Sequence, residues 1–212
     1  MAIMLGDTAP DFKAETTIGT LRLHDWIGSS WCILFSHPKN FTPVCTTELG
    51  YAAKIKNEFD KRNVKLIAIS VDPLSAHHKW VPEIEETQQC HINFPIIADP
   101  DGQISSLYGM IHPREHSNTT VRTVFIIDPL KRVRTFFAYP MTTGRNFDEI
   151  LRVIDALQRT DNYQVATGVN WKPGEECIIP PALKDEEELQ TLFPKGYREI
   201  KPYLRYTPDP LA

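Results

Sequence analysis

The residues with the clearest chemical potential lie in the stretch 37–48, where Cys45 follows Thr42 by three positions. The apolar run 31–36 before this stretch predicts a buried strand, and the amphipathic pattern after it predicts a helix. A cysteine at such a junction lies in the first turn of the helix, where unpaired N–H groups and the positive end of the helix dipole favour an anion. Because the thiolate is the nucleophilic form of cysteine, Cys45 is the first candidate for chemistry.

The residues just ahead of the cysteine fit this interpretation. The hydroxyl of Thr42 is expected to reach the sulfur, or an oxygen bound to it, across the first helical turn. Pro38 and Pro43 remove backbone donors and stiffen the loop, which would shield a thiolate from water.

A thiolate also needs a cation nearby, and two arginines are candidates. Arg122 lies on a predicted strand, and Arg145 lies just before the last predicted helix of the first 160 residues. A guanidinium group stays charged and donates hydrogen bonds in a fork, so it could both favour the thiolate and orient an oxygen substrate. Glu48, on the same helix as Cys45, could hold such an arginine in place.

The pattern of the chain predicts an α/β architecture that could position these residues. Strand, helix and strand in succession form a βαβ unit, and a second block of two strands and a helix follows. Pro82 is expected to kink or interrupt the helix that contains it. The predicted elements are a hairpin within 7–24, strand 31–36, helix 45–62, strand 64–71, helix 75–90 capped by Ser75, strand 94–98, helix 103–108, strands 121–127 and 133–139, helix 147–159, and a helix over 185–193.

Composition restricts the class of protein. The 212 residues carry a net charge of −4, so there is no basic footprint for nucleic acid. The N-terminal residues do not form a signal-peptide pattern, and no apolar run is long enough to span a membrane. The four cysteines are dispersed without a C-x-x-C pair, which favours a reducing, cytoplasmic setting. The proline-rich end predicts a division into a domain over 1–160 and an arm over 161–212.

Several motifs together resemble those of a known family. The stretch His37–Cys45 resembles the P-x-x-x-T-x-x-C signature of peroxiredoxins, thiol peroxidases with a thioredoxin fold. The segments 46–50, 142–153, 192–196 and 203–208 are similar to the one-cysteine branch, the peroxiredoxin-six group. This resemblance covers nearly the whole chain and implies a thioredoxin-like mixed central sheet with helices on both faces, plus a C-terminal peroxiredoxin arm.

The resemblance also implies roles for individual residues. Cys45 would be the peroxidatic nucleophile that attacks hydrogen peroxide or an organic hydroperoxide and becomes a sulfenic acid. Thr42 and Arg122 would bind and polarise the peroxide, with no metal and no cofactor. The other positions that match site residues of the family are Pro38 as a shield, His37 beside the pocket, and Glu48 and Arg145 in support.

Two departures from related patterns affect the expected activity. Two-cysteine peroxiredoxins have a resolving cysteine just before W-K-P-G, whereas residues 165–174 here contain none. An external thiol, from glutathione or a thioredoxin-type system, must then reduce the sulfenic acid, and ascorbate is a further possible reductant. Some relatives are also phospholipases with a G-x-S-x-G serine, but here Cys32 replaces the second glycine after Ser30. His24 matches, but Leu130 falls where the acid is expected, with Asp128 two residues earlier, so phospholipase activity is not expected.

Other interpretations of the chain are compatible with parts of this pattern. A disulfide reductase is disfavoured by the missing C-x-x-C pair, whereas a redox-dependent holdase chaperone or a peroxide sensor would be compatible with the same cysteine. The arm implies a homodimer by resemblance. Cys32, Cys90 and Cys177 are expected to pack as small apolar side chains. The pair at 77–78 is expected to lie on a solvated helix face.

Overall fold

The computed structural model describes residues 3–116 and 118–212. The chain forms two compact units, one up to residue 145 and one from residue 146 onward. The functional division after residue 160 that the sequence predicts stays a prediction. Within the described ranges, every helix is too short or too polar to cross a membrane.

The first unit is built on a mixed sheet of seven strands in the order β2-β1-β5-β4-β3-β6-β7. Strands β3, β4 and β5 are parallel, and the other neighbours are antiparallel. The thioredoxin-like mixed sheet predicted from the sequence is confirmed, including the opening hairpin and the βαβ unit. The elements are β1 Lys13–Thr16, β2 Gly19–Arg22, α1 Leu23–Ile27, β3 Trp31–Ser36, α2 Pro43–Lys54, α3 Lys56–Asp60, β4 Val64–Ser70, α4 Leu74–Gln88, β5 Ile96–Ala98, α5 Gln103–Leu107, β6 Arg122–Ile127 and β7 Val133–Tyr139.

Strand β3 lies inside the sheet, and all six of its residues are buried. Its apolar sequence suits this position because a strand covered on both faces has no need to alternate apolar with polar residues. Cys32 and Leu34 join the apolar cluster on one face, which also contains Leu23 of α1. Phe35 points to the opposite face, where the guanidinium of Arg145 lies 5.0 Å from its ring centroid. The C-terminal end of β3 is therefore a rigid support for the loop that follows.

The helix predicted over 45–62 is two helices. Helix α2 begins at Pro43, where a proline supplies helical φ at no cost in hydrogen bonds. It ends at Lys54, because Ile55 adopts φ −99° and ψ 12°, and α3 begins at the next residue. The earlier start makes Cys45 the third helical residue, still within the first turn.

Of the two effects predicted for Pro82, the interruption of its helix is wrong, and a kink stays a prediction. Helix α4 continues through this proline from Leu74 to Gln88, with Pro73 rather than Ser75 as the N-cap residue. A proline removes one intrahelical hydrogen bond, and tertiary packing can offset that loss. Trp80 and Ile84, on either side of Pro82, are buried and anchor the helix.

The second unit has a small core of its own. Its three strands form an antiparallel sheet in the order β8-β10-β9. The buried cluster includes Trp171, Cys177 and Leu189, and the side chain of Asp185 caps the last helix by accepting from the N–H of Glu188. The elements are α6 Phe147–Asn162, β8 Cys177–Ile178, α7 Glu186–Leu192, β9 Arg198–Lys201 and β10 Leu204–Thr207.

Candidate active site

Cys45 lies in the first turn of α2, and its side chain is fully buried. Nη1 of Arg122, the first residue of β6, lies 3.2 Å from its Sγ and donates to it. The first backbone bond of the turn runs from the N–H of Thr46 to the carbonyl of Thr42. The sulfur is thus in contact with a fixed cation and lies in the first turn of a helix, where backbone N–H groups have no intrahelical partner.

The guanidinium of Arg122 is held at all three of its nitrogens. Nη1 also donates to Oε2 of Glu48 at 2.7 Å, while Nε and Nη2 donate to the carbonyl of Met141 at 2.9 and 2.6 Å. These bonds fix the orientation of the planar guanidinium group without the help of a ligand. The sequence could not have indicated Met141, because its contribution is a backbone carbonyl that any residue would supply.

Glu48 joins the two candidate arginines. Arg145 donates to Oε1 from its backbone N–H at 2.8 Å and from Nε at 2.9 Å, and to Oε2 from Nη2 at 2.5 Å. Its Nη1 donates to the carbonyl of Ser36 at 2.7 Å, which ties the cluster to the end of β3.

Burial by itself would raise the pKa of Glu48, but Arg145 and, to a lesser degree, Arg122 bring that pKa below its usual value. One carboxylate between two guanidinium groups leaves the cluster with a surplus positive charge beside the sulfur.

We expect Glu48→Gln to destabilise the fold by about 3–5 kcal/mol near neutral pH, because removing one partner of a buried ion pair leaves its charged partner uncompensated. The pKa of Glu48 is lower in the folded than in the unfolded chain, where it is near 4.5. The ion pair therefore contributes fully above about pH 5, and this contribution is lost as the pH falls through the folded pKa. Urea unfolding from pH 7 to pH 3 should show the difference between wild type and variant shrinking below about pH 4.5.

Glu58→Gln is the matched control for that series. Glu58 pairs with Lys61 and Arg62 on the surface of α3, where ion pairs contribute little. Its replacement should leave unfolding nearly unchanged. A difference between wild type and Glu48→Gln that stayed constant over the pH range would contradict the buried ion pair as its source.

A cavity of about 400 Å³ leads to Arg122 from outside. Pro38 and Thr42 form part of its wall, together with Val44 and Met141. The hydroxyl of Thr42 donates to the carbonyl of Lys39 at 2.9 Å, so its oxygen can offer only lone pairs to a ligand. An entering molecule therefore meets an acceptor at Thr42 and a donor at Arg122, which suits a small molecule with an O–H group and an adjacent oxygen.

His37 follows β3 directly, and its side chain is fully buried. Its Nε2 lies 2.9 Å from Oδ1 of Asn40, so the hydrogen bond of this ring is to Asn40 rather than to Cys45. The prediction that residues 77–78 lie on a solvated helix face is wrong for His77, which is fully buried and lies 2.9 Å from Nδ2 of the same Asn40. Helical spacing points adjacent residues in different directions, and His78 is the exposed one.

The other cysteines differ from Cys45 in their surroundings. Burial raises the pKa of the Cys32, Cys90 and Cys177 thiols, which opposes thiolate formation. All four cysteines of the chain are free thiols.

The residues that could form a hydrolase triad are Ser30, His24 and Asp128, and each has another hydrogen-bond partner. The hydroxyl of Ser30 donates to Oδ1 of Asn63 at 2.8 Å, and Nε2 of His24 lies 2.8 Å from the carbonyl of Ala9. Asp128 accepts from Nε of Arg132 at 2.8 Å. No pair among the serine, histidine and aspartate is joined by these bonds.

Comparison with known proteins gives consistent matches over both units. Residues 5–136 match the AhpC/TSA family, and residues 156–195 match the C-terminal domain of 1-Cys peroxiredoxin. The chain is 52% identical to peroxiredoxin-6 of Rattus norvegicus over 221 aligned positions, which cover 98% of each protein.

Two solved structures are also similar. Peroxiredoxin 6 of Arenicola marina is 45% identical, with a TM-score of 0.93 and full coverage of both chains. The yeast mitochondrial 1-Cys peroxiredoxin is 47% identical, with a TM-score of 0.90 and coverage of 97% of this chain and 99% of that one. The latter structure concerns a thiol resolving mechanism via glutathione and thioredoxin systems.

Proposed function

The chain belongs to the AhpC/TSA family, and within it to the 1-Cys peroxiredoxins, which are thiol peroxidases; from this we propose how its own residues carry out the reaction. The thiolate of Cys45 attacks one oxygen of the peroxide, so that an S–O bond forms and the O–O bond breaks. The leaving oxygen takes a proton and departs as water or an alcohol, and Cys45 becomes a sulfenic acid. The observation that carries this proposal is the 3.2 Å contact between the sulfur and the anchored guanidinium of Arg122.

The remaining residues have supporting roles in this proposal. Thr42 accepts the O–H of the peroxide while Arg122 donates to its oxygens, and Pro38 walls the cavity against water. Glu48 and Arg145 hold Arg122 and balance its charge. His37 lies in the same loop as Pro38, and its side chain can act only as a neutral group because burial lowers its pKa to about 3.

We propose that an external thiol completes the cycle. A thiol attacks the sulfenic acid sulfur, water leaves, and a mixed disulfide forms, which a second thiol reduces back to Cys45. The support is the absence of a cysteine from residues 165–174 and the burial of Cys32 and Cys177. The thiol resolving mechanism of the yeast relative makes glutathione and thioredoxin the first reductants to test. None of the relatives named above supports the alternative of a holdase chaperone or a peroxide sensor.

The experiment that tests this function is mass spectrometry after one equivalent of peroxide. We expect one added oxygen atom, located at Cys45, which disappears when glutathione or a thioredoxin system is supplied and the thiol returns. A dimedone adduct confined to Cys45 would identify the sulfenic acid. Oxidation first at Cys32, Cys90 or Cys177 would contradict the assignment of the nucleophile.

We also propose that the protein is a cytoplasmic homodimer. The support for a dimer is strand β7 at the edge of the seven-stranded sheet, where Phe136 is 44% exposed. An edge strand with an exposed aromatic residue is suited to pair with a second copy. Four free cysteines fit a reducing compartment. Sedimentation velocity that gave only the mass of one chain at micromolar concentration would contradict the dimer, and cell fractionation would test the compartment.

A further inference from the structure

The cavity that leads to Arg122 is larger than hydrogen peroxide requires. Its volume is about 400 Å³, whereas one water molecule takes up about 30 Å³ of the liquid, and hydrogen peroxide has only one more oxygen atom than water. Cavities of about 300–1,000 Å³ are typical of sites that enclose larger organic ligands. The cavity therefore has room for a hydroperoxide with a bulky organic group.

The lining of this cavity has a polar and an apolar part. The hydroxyl oxygen of Thr42 and the guanidinium of Arg122 are an acceptor and a donor for an O–OH group. The apolar lining residues are Pro38, Pro43, Val44 and Met141. Since the O–OH group of a bound hydroperoxide needs the polar part, its organic group is left to lie against the apolar part.

Met141 lies in the turn between β7 and α6 and is held at two points. Its backbone carbonyl accepts from Nε and Nη2 of Arg122 at 2.9 and 2.6 Å. Its Sδ accepts from the hydroxyl of Thr119, another residue that lines the cavity, at 3.8 Å. A methionine side chain is flexible by itself, so the contact with Thr119 keeps the thioether at the wall of the cavity.

We propose that Met141 is a specificity-determining residue, whose side chain packs against the organic group of an alkyl or aryl hydroperoxide bound between Thr42 and Arg122. This inference rests on the proposed function, because the same cavity supplies peroxide to Cys45. The reaction itself is unchanged. An S–O bond forms at Cys45, the O–O bond breaks, and the organic group departs in an alcohol after its oxygen takes a proton.

The contribution of Met141 is selective because hydrogen peroxide has no apolar group. Removing apolar surface from water is favourable in proportion to the area buried. Contact with the side chain of Met141 therefore stabilises a bound organic hydroperoxide but not hydrogen peroxide. Thr42 and Arg122 serve both kinds of peroxide, because they contact only the O–OH group. Met141 thus raises the rate constant for organic hydroperoxides relative to that for hydrogen peroxide.

The first test measures, by stopped flow, the second-order rate constants for oxidation of Cys45 by cumene hydroperoxide and by hydrogen peroxide. Met141→Gln keeps the length of the side chain but makes its end polar. We expect this variant to lower the ratio of the first constant to the second about five- to thirtyfold, near the lower end of the discrimination that one methylene group gives in an apolar pocket. Met141→Leu keeps the apolar surface and a similar volume, so its ratio should stay within about threefold of wild type.

The ratio separates specificity from structural damage. A backbone shift at residue 141 would disturb Arg122 and slow both reactions, and such an effect cancels in the ratio. Met4→Gln is the matched control, because it makes the same change at a methionine that is 62% exposed and does not line the cavity. Its ratio should equal that of wild type.

A second measurement locates the organic group without any peroxide. The ligand is 2-phenyl-2-propanol, the alcohol that forms when cumene hydroperoxide is reduced. In reduced wild-type protein with ¹³C-labelled methionine methyl groups, millimolar concentrations of this alcohol should shift the signal of Met141 and leave that of Met4 in place.

Distinct results would overturn the inference. An unchanged Met141 signal would show that the organic group lies elsewhere, and a Met141→Gln ratio equal to that of wild type would refute the specificity role. An equal fall of the ratio in Met141→Leu would show that apolar surface is not its source. If neither peroxide oxidises Cys45, the proposed function fails instead, and the methyl signal still decides whether the organic group lies against Met141.

Discussion

Cys45→Ser is expected to abolish peroxidase turnover, with a loss of at least about a thousandfold, while the fold is retained. A hydroxyl oxygen is a far weaker nucleophile than a thiolate at neutral pH, and removing the nucleophile of a catalytic unit costs several orders of magnitude. Serine has nearly the same shape as cysteine, so the fully buried site should still be filled. Peroxide consumption in the presence of excess dithiothreitol measures the activity, and near-ultraviolet circular dichroism measures the fold.

Cys90→Ser is the matched control. It makes the same chemical change at a partly exposed cysteine whose thiol pKa is raised by burial. This variant should turn over at the rate of wild type. Substantial activity in Cys45→Ser would refute the proposed mechanism, and loss of activity in Cys90→Ser would show that another cysteine takes part.

Arg122→Ala is expected to slow the reaction with peroxide by about a hundred- to a thousandfold, the usual effect of removing one fixed donor from a site of developing charge. Nη1 of Arg122 is the donor to the sulfur at 3.2 Å, and the same side chain lines the cavity that peroxide would enter. Stopped-flow measurement of Cys45 oxidation isolates this step from reduction by thiols. Arg122→Lys keeps the charge but loses the fork, so it should recover only part of the rate.

The loss in Arg122→Ala should come without unfolding. Glu48 retains Arg145 as a partner, so the buried carboxylate is not left without a cation. Arg132→Ala removes another ion-paired arginine, beside the turn of the β6–β7 hairpin, and should react with peroxide at the wild-type rate. A wild-type rate in Arg122→Ala would refute its proposed role.

The features that depended on neighbouring residues could be predicted from the sequence. Strand β3 is indicated by its own run of apolar residues, and the start of α2, two residues before Cys45, follows from a proline-bearing loop. Both signals lie within a few residues of the element that they predict. The spacing of Thr42 and Cys45 placed both within one helical turn. The extent of α2 was less predictable, because the break at Ile55 has no proline or glycine to mark it.

Only the tertiary structure decided which distant groups meet the sulfur. Arg122 and Arg145 were both candidates from their chemistry, and the fold placed the first on Cys45 from 77 residues away and the second on Glu48 from 97 residues away. The burial of His77 was also decided by the tertiary structure. A polar residue on a helix is usually exposed, but His77 lies on the side of α4 that packs beside β5 and is bonded to Ile97. The sequence determined the position of the candidate cysteine in the first turn of α2, because a helical turn is formed by residues that are close along the chain. The cations around it depended on the pairing of strands, which no short stretch of sequence specifies.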